Sequence, residues 1–255
     1  MRGMSPEVLF GTIMNVSGII RDLDDAGMRI EIGTDFSVYR RHRLAQTDRN
    51  GPYPMFDVAC SFIDASNGFW ICGFNPEGEL IHTQAARLLD LTGTTLRRHL
   101  DDHRHKYITP DTTPDPDLTY YSGPECLTSI TGKVCYQGEF WLPGRGLGGP
   151  RSLGMTALLS RILFELVRAS WSPDYIFALV PKQLASKGAH LRYGYFHCEP
   201  GQWIGPDRQV TEEDHLIWMS ADDMRNVLSR KPESLVAPAQ VAPLRTPLTS
   251  VGSLA

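Results

Sequence analysis

Residues Cys135 to Pro150 read CYQGEFWLPGRGLGGP, a strand pattern that runs through a glycine-rich turn into a long apolar helix. Residues in that order make an anion site. Glycines let the backbone approach a phosphate closely, and free N–H groups at a helix start face it with the positive end of the dipole. Arg145 can add a fork-shaped charge contact. Gly146, Leu147, Gly148 and Gly149 would supply the amides, with Leu142 at the strand end. No Gly-Lys-Ser/Thr follows, so this is not a phosphate loop of the Walker kind, and the dinucleotide fingerprint fits poorly. A tight strand-to-helix turn without a ligand is the other reading of the same residues.

The remaining chemistry-bearing clusters are less specific. His99 and His103 stand four apart in Leu96–His105, as two metal ligands on one helix face would. The segment is saturated with charge, so a solvated helix is expected and no metal site is assigned. Arg40 to Arg43 form a basic run that either contacts an anionic partner or is a plain helix face. Arg87 could meet a buried or a substrate carboxylate. The five cysteines are widely spaced and form no CxxC, so they read as free thiols rather than a disulfide framework or a zinc site.

These groups need elements to hold them. Ser5-Pro6-Glu7 opens a helix with a hydroxyl cap, proline in the first turn and an acid near the dipole, and Gly27 ends it. Strands are expected at 28–32, 58–63, 69–74, 79–91, 126–142, 174–180, 195–198 and 215–219. Helices are expected at 35–45, 95–106, 153–171, 181–188 and 220–229, the third strongly apolar, and 111–124 is a proline-rich loop. Alternation along the strand before the glycine-rich turn puts Cys135, Gln137, Glu139 and Trp141 on one face. Tyr136, Phe140 and Leu142 take the other. From Lys231 onward, Pro, Ala, Ser and Thr dominate, which indicates a disordered tail. The expected organisation is a helix over 1–27, an α/β domain over 28–230 and the tail over 231–255.

Composition bounds the rest. The 255 residues carry 25 Lys plus Arg against 29 Asp plus Glu, a net charge of −4, with 42% apolar residues. That length can bury a core without staples. The mild acidity argues against broad phosphate neutralisation, so no nucleic-acid partner is expected. No apolar run reaches the roughly 18 to 20 residues of a membrane span, and the N-terminus has no signal-like apolar region. A cytosolic location is expected.

Taken in chain order, the glycine-rich turn, the apolar helix, the strand at Asp174–Val180, a short helix and Tyr193-Gly194-Tyr195-Phe196 resemble the GNAT acyltransferase superfamily. Arg145-Gly146-Leu147-Gly148-Gly149-Pro150 is similar to its pyrophosphate loop, with proline in the sixth place. The N-terminal half narrows the likeness. Tyr39-Arg40-Arg41-His42-Arg43, Phe56-Asp57 and Glu79 to Leu89 resemble the autoinducer (acyl-homoserine lactone) synthases and the long-chain N-acyl amino acid synthases. Their Glu-x-x-Arg pair appears here as Glu139 with Leu142 in the arginine position.

The resemblance implies a single GNAT-like domain with a mixed, twisted central sheet. It implies acyl transfer from acyl-CoA or acyl carrier protein, as cosubstrate, to a small-molecule amine, which an amino acid would satisfy. The widening beside the strand at Asp174 would take the pantetheine arm. Glu139 is then the candidate base, Tyr193 the acid for the departing thiolate with Tyr195 its neighbour competitor, and Arg43, Arg87 and Trp141 the substrate contacts. Two alternatives stand beside this: an autoinducer-type synthase using S-adenosylmethionine, and a catalytically silent protein that binds an acyl thioester or a partner for regulation.

Overall fold

A computed structural model of the protein describes residues 5–109, 115–143 and 154–230. Seven strands form one mixed sheet: β1 (Arg29–Gly33), β2 (Gly68–Phe74), β3 (Leu80–Leu91), β5 (Gly132–Trp141), β6 (Tyr175–Pro181), β10 (Asp214–Ser220) and β7 (His197–Glu199), in that spatial order. A second sheet joins β4 (Tyr120–Ser122), β8 (Gln202–Ile204) and β9 (Val210–Glu212). This is the mixed, helix-flanked α/β architecture expected from the sequence.

Alternation on the strands creates two cores. Phe69 and Ile71 of β2, Cys135 of β5, and Ile176, Ala178 and Val180 of β6 face one side. There they meet α1 (Pro6–Asp25), α4 (Met155–Trp171) and α7 (Ala221–Ser229). Trp70 and Cys72 of β2, Tyr136 of β5 and Phe177 of β6 face the other side, covered by α2 (Phe36–Leu44), α3 (Leu96–His103) and the Tyr53–Ile63 segment. With both faces covered, β2 is buried along its whole length. Ser5 caps α1 through Val8 N, and a capping box of Ser220 and Asp223 opens α7.

One buried carboxylate joins α1 to α4. Glu165, fully buried, accepts from Thr12 Oγ1 at 3.1 Å, Asn15 Nδ2 at 2.9 Å and Arg168 Nη2 at 3.2 Å. Arg161 Nη2 approaches it to 3.9 Å and donates to the Leu228 carbonyl of α7 at 2.7 Å. Three helices are thus tied at a single group.

Several expectations are corrected. Residues 58–63 form turns instead of a strand, because Asp57 turns the chain through Ala59 N, Cys60 N and Ser61 N, and Arg87 holds the Met55 and Phe62 carbonyls. The strand expected over 126–142 begins only at Gly132, whose φ of +80° and close approach to Asp174 Oδ2 leave no room for a side chain. A short 3₁₀ turn at Glu125–Thr128 precedes it. The helix expected over 181–188 is only α5 (Lys182–Ala185), and a further helix, α6 (Ala189–Tyr193), follows Gly188 at φ +72°. The three-stranded sheet went unread, since strands of three residues leave almost no periodicity.

The feature that positions the site is the path of β5. It pairs with β3 along most of its length, but with β6, in parallel, only from Val134–Tyr136 against Tyr175–Phe177. Beyond that β5 continues to Trp141 and β6 to Pro181 without pairing, so the sheet parts between them. On the β3 side the register slips from Ala85↔Gly138 to Thr83↔Trp141, which inserts one extra residue into β5. Glu139 sits in that bulge at φ +60°, a conformation few side chains adopt.

Candidate functional site

The bulge overturns the alternation expected for β5. Cys135 faces the α4 core, and Gln137 is bonded on that side to Gln84 and Tyr195. Glu139 instead turns to the opposite face, with Tyr136 and beside Phe56 and Tyr39. Phe140 then returns to the α4 side against Tyr193. Neighbouring residues of one strand therefore project through the parting on both faces.

On the α2 face, Glu139 is 6% exposed and three donors converge on it. Arg43 Nε reaches Oε2 at 2.6 Å, the Tyr39 hydroxyl reaches the same oxygen at 3.0 Å, and the Tyr53 amide reaches Oε1 at 2.6 Å. Arg43 itself is 3% exposed and donates to Gln46 Oε1 at 3.0 Å and the Asn50 carbonyl at 3.0 Å. Burial disfavours its charge, but Glu139 and Tyr39 outweigh this and hold its pKa above the ordinary arginine value. Burial, with Glu139 adding, drives the Tyr39 phenol well above its usual range. The arginine that meets Glu139 thus comes from α2, 96 residues upstream of the carboxylate.

Arg49 completes this corner. Its Nη1 donates to Gln46 Oε1 at 2.8 Å and Thr83 Oγ1 at 3.3 Å, and its guanidinium lies 4.7 Å from the Trp141 ring centre. Thr83 Oγ1 in turn donates to the Glu139 carbonyl at 2.8 Å and pins the bulge. Burial, then the neighbouring Arg43 charge, lower the Arg49 pKa to about 10.

On the α4 face, the Tyr193 ring lies 4.7 Å from Phe140, and Phe140 lies 5.1 Å edge-on from His82. The Tyr195 hydroxyl donates to Gln137 Oε1 at 2.7 Å, Gln137 Nε2 donates to Gln84 Oε1 at 3.1 Å, and Gln84 Nε2 donates to the Leu159 carbonyl at 2.7 Å. Tyr195 is thereby committed to a buried relay, while the Tyr193 ring packs on Phe140 near the end of β5. Leu142 is fully buried in the α4 core. Arg145, Gly146, Leu147, Gly148 and Gly149 lie outside the described residues.

The predicted site residues divide accordingly. Glu139, Arg43 and Trp141 come together, and Tyr193 stands across the sheet from them. Arg87 is engaged elsewhere: its outer nitrogens meet the Met55 carbonyl and, at 2.6 Å, the Phe62 carbonyl. Asp57 accepts from Arg40 Nε at 2.9 Å. His99 bonds the Tyr107 hydroxyl at 2.8 Å, and among the described residues no group of three or more His, Cys, Asp or Glu could hold a metal. Tyr39 stood in the sequence only as part of the Tyr39–Arg43 run, and Tyr53 and Arg49 carried no expectation. No local pattern announces that Tyr39 and Tyr53 converge on Glu139, or that Arg49 lies beside them.

His82, fully buried, contacts the Trp141 carbonyl through Nδ1 at 2.8 Å, and burial takes its pKa down to about 3. Its folded value lies below the unfolded one, so the folded state binds fewer protons. The associated stability is present above about pH 6.5 and is lost as pH falls toward about 3. Asp214, raised to about 7 by burial and then by Glu212, acts in the opposite sense, weakening the fold as pH rises from about 4 to 7. Urea midpoints between pH 7 and 4 should therefore fall less steeply on acidification for His82→Asn than for the parent. An unchanged slope would show that His82 is not held neutral.

No family model matches the sequence, and no curated protein matches it. Among solved structures, the chain is similar to a mutant of the spermidine N-acetyltransferase SpeG from Vibrio cholerae, with 12% identity, 78% of this chain and 97% of that chain covered, and a TM-score of 0.41. It is similar to the aminoglycoside acetyltransferase AAC(6')-Ib in complex with coenzyme A and kanamycin, with 12% identity, 78% and 98% coverage and a TM-score of 0.36. It is also similar to FeeM, an N-acyl amino acid synthase from uncultured soil microbes, with 12% identity, 87% and 95% coverage and a TM-score of 0.35. At these scores the likeness is general, and the reading of the site rests on its own geometry. No helix among the described residues is long and apolar enough to cross a membrane.

Proposed function

We propose that the protein is an N-acyltransferase that moves an acyl group from acyl-CoA or an acyl carrier protein to the amine of a small molecule. The observation that carries this reading is the parting of β5 from β6, with a bulge on its lip that sends Glu139 to one face and Phe140 to the other. Such a gap lets an amine and a thioester approach one another from opposite faces of the sheet, and the acceleration comes mainly from holding them in line.

In the reaction, the amine nitrogen bonds to the thioester carbonyl carbon, the C–S bond breaks, and the thiolate takes a proton. Oε2 of Glu139 is occupied by Arg43 and Tyr39, whereas Oε1 accepts one amide and keeps a lone pair for the ammonium proton, directly or through water. The bulge removes Glu139 and Phe140 from regular pairing with β3, which leaves backbone amides there as donors for the carbonyl oxygen. Tyr193, on the opposite face, is the acid for the thiolate; a phenol is protonated at neutral pH. The phosphates of the donor are assigned to Arg145 and Gly146 to Gly149 on the pattern of the sequence alone.

The test is twofold. Acetyl-, octanoyl- and palmitoyl-coenzyme A are screened for a rise in melting temperature, which a ligand specific for the folded state produces by mass action. The best donor is then tested for turnover against a panel of amines, where Tyr193→Phe should lower kcat by about a hundredfold. No shift and no turnover with any thioester or carrier protein would sink the proposal. A second reading is the autoinducer-type synthase, whose acidic residue at the end of this strand corresponds to Glu139, here paired with Arg43. Saturable binding of S-adenosylmethionine and a lactone product would favour it.

A further inference from the structure

Helix α1 is apolar on two faces and packs with only one of them. From Val8 to Ile20 it carries thirteen residues without a charge, bounded by Glu7 and Arg21. Ile19 and Leu23, fully buried, and the half-buried Val16 and Ile20 join the α4 core, while Thr12 and Asn15 bond Glu165 of α4. Leu9, Phe10, Ile13 and Met14 do not reach that core. They are 46%, 65%, 52% and 52% exposed. The steps from 9 to 13 and from 10 to 14 are each about one turn, so all four share an outward face. A surface helix carries one apolar stripe toward its core, and a helix that is apolar all round is a buried one. Four large side chains gathered in one patch exceed the scattered apolar exposure of an ordinary surface.

The charges that bound this patch complement each other. Glu7 and Arg21 are both exposed, and neither makes an ion pair among the described residues. With Phe10, Met14 and Ser17 between them they fall at spacings of 3, 4, 3 and 4, which is a single seam along the helix. Met14 is its midpoint. Two copies laid antiparallel about a two-fold axis at Met14 set Glu7 of each opposite Arg21 of the other, whereas parallel copies set like charges together. In the same register Phe10, the most exposed of the four, faces Ser17 and Gly18 of the second copy. A Cβ placed on Gly18 would meet nothing within 4 Å, so a ring has room there. Asp22, Asp24 and Asp25 fall at or past the start of the opposing helix, where the dipole favours negative charge. The same aspartates weigh against an anionic lipid surface as the occupant.

We propose that the outward face of α1 is the contact between two copies of this chain, joined as an antiparallel helix pair about Met14. Two-fold symmetry presents the same patch from both subunits. Burial of Leu9, Phe10, Ile13 and Met14 supplies the attraction. The two Glu7–Arg21 pairs set direction and register more than strength. A single helix pair lies near the low end of specific interfaces, about 1,200 Å², so the association is micromolar and exchanging rather than permanent.

The experiment uses the full chain. Sedimentation equilibrium from low to high micromolar concentration should show the mean mass climbing from one chain toward two. Met14→Glu puts two carboxylates on the axis and should weaken the dimer by at least about a hundredfold. Glu7→Arg or Arg21→Glu alone should weaken it by about tenfold, and the two together should restore the parent constant. Each variant should melt with the parent at concentrations where both are monomers, since these side chains lie outside the core. With the exposed Cys60 changed to Ser, Met14→Cys should form a disulfide between copies on mild oxidation and Phe10→Cys should not, because in an antiparallel pair only a residue on the axis meets itself. One mass at every concentration, a dimer indifferent to Met14→Glu, a double swap no better than the single ones, or equal cross-linking at 10 and 14 overturns the proposal. So does a monomer that Met14→Glu destabilises, since its own chain then covers the face, or a monomer that partitions onto phosphatidylcholine vesicles, since lipid then does.

Discussion

Glu139→Gln is expected to lower turnover by at least about a hundredfold and to destabilise the fold by about 3–5 kcal/mol. The two effects have separate causes. Turnover falls because an amide has no basic lone pair for the ammonium proton. Stability falls because Arg43, 3% exposed, keeps its charge with no carboxylate at 2.6 Å. The Coulomb attraction of a buried pair roughly offsets its desolvation, so removing one member leaves the other charge uncompensated. Arg43→Gln combined with Glu139→Gln removes that uncompensated charge. The double variant should recover most of the lost stability in urea melts while remaining inactive. If Glu139→Gln turns over like the parent at neutral pH, the base assignment is wrong. If it melts like the parent, the pair is not what holds α2 to β5.

The second large effect lies far from the gap. Glu165→Ala should lower the melting temperature by roughly 6–20 °C, which is about 3–5 kcal/mol at 2–4 °C per kcal/mol for a chain of this size. Thr12 and Asn15 of α1 and Arg168 of α4 all donate to that carboxylate, so its loss leaves α1 only the Arg168 Nη2 to Thr12 Oγ1 bond and leaves two arginines without their acid. Limited proteolysis should then cut within residues 6–25 before the rest of the chain. Glu165→Gln keeps an acceptor oxygen and should fall between the parent and the alanine variant. An alanine variant that melts and digests like the parent would show that α1 is held by its apolar contacts alone.

Much of this molecule can be read from local pattern. The caps at Ser5 and Ser220, the apolar face of α4, the alternation of β1 and the apolar run of β2 with β3 across the Asn75–Gly78 turn each depend on residues within a few positions of one another, and the corresponding elements form where expected. Glu139, Arg43 and Trp141 could likewise be singled out by type and motif. Their relation to each other could not. Alternation predicts that Glu139 shares a face with Gln137, and one inserted residue reverses that; a bulge leaves no mark in a hydrophobic pattern. Arg87 illustrates the opposite case, a conspicuous arginine whose partners are the carbonyls of a turn that sequence read as a strand.

By itself, then, the order of amino acids determined which residues could carry charge, protons and phosphate, and which segments would be helix or strand, because those properties depend on side-chain chemistry and short-range periodicity. Tertiary structure alone decided which charges meet. The partner of Glu139 lies 96 residues away on α2, and Arg49, Thr83 of β3 and Trp141 of β5 meet beside the bulge from three separate stretches of chain. Contacts across such separations are set by packing of the whole sheet, and no window of neighbouring residues contains them.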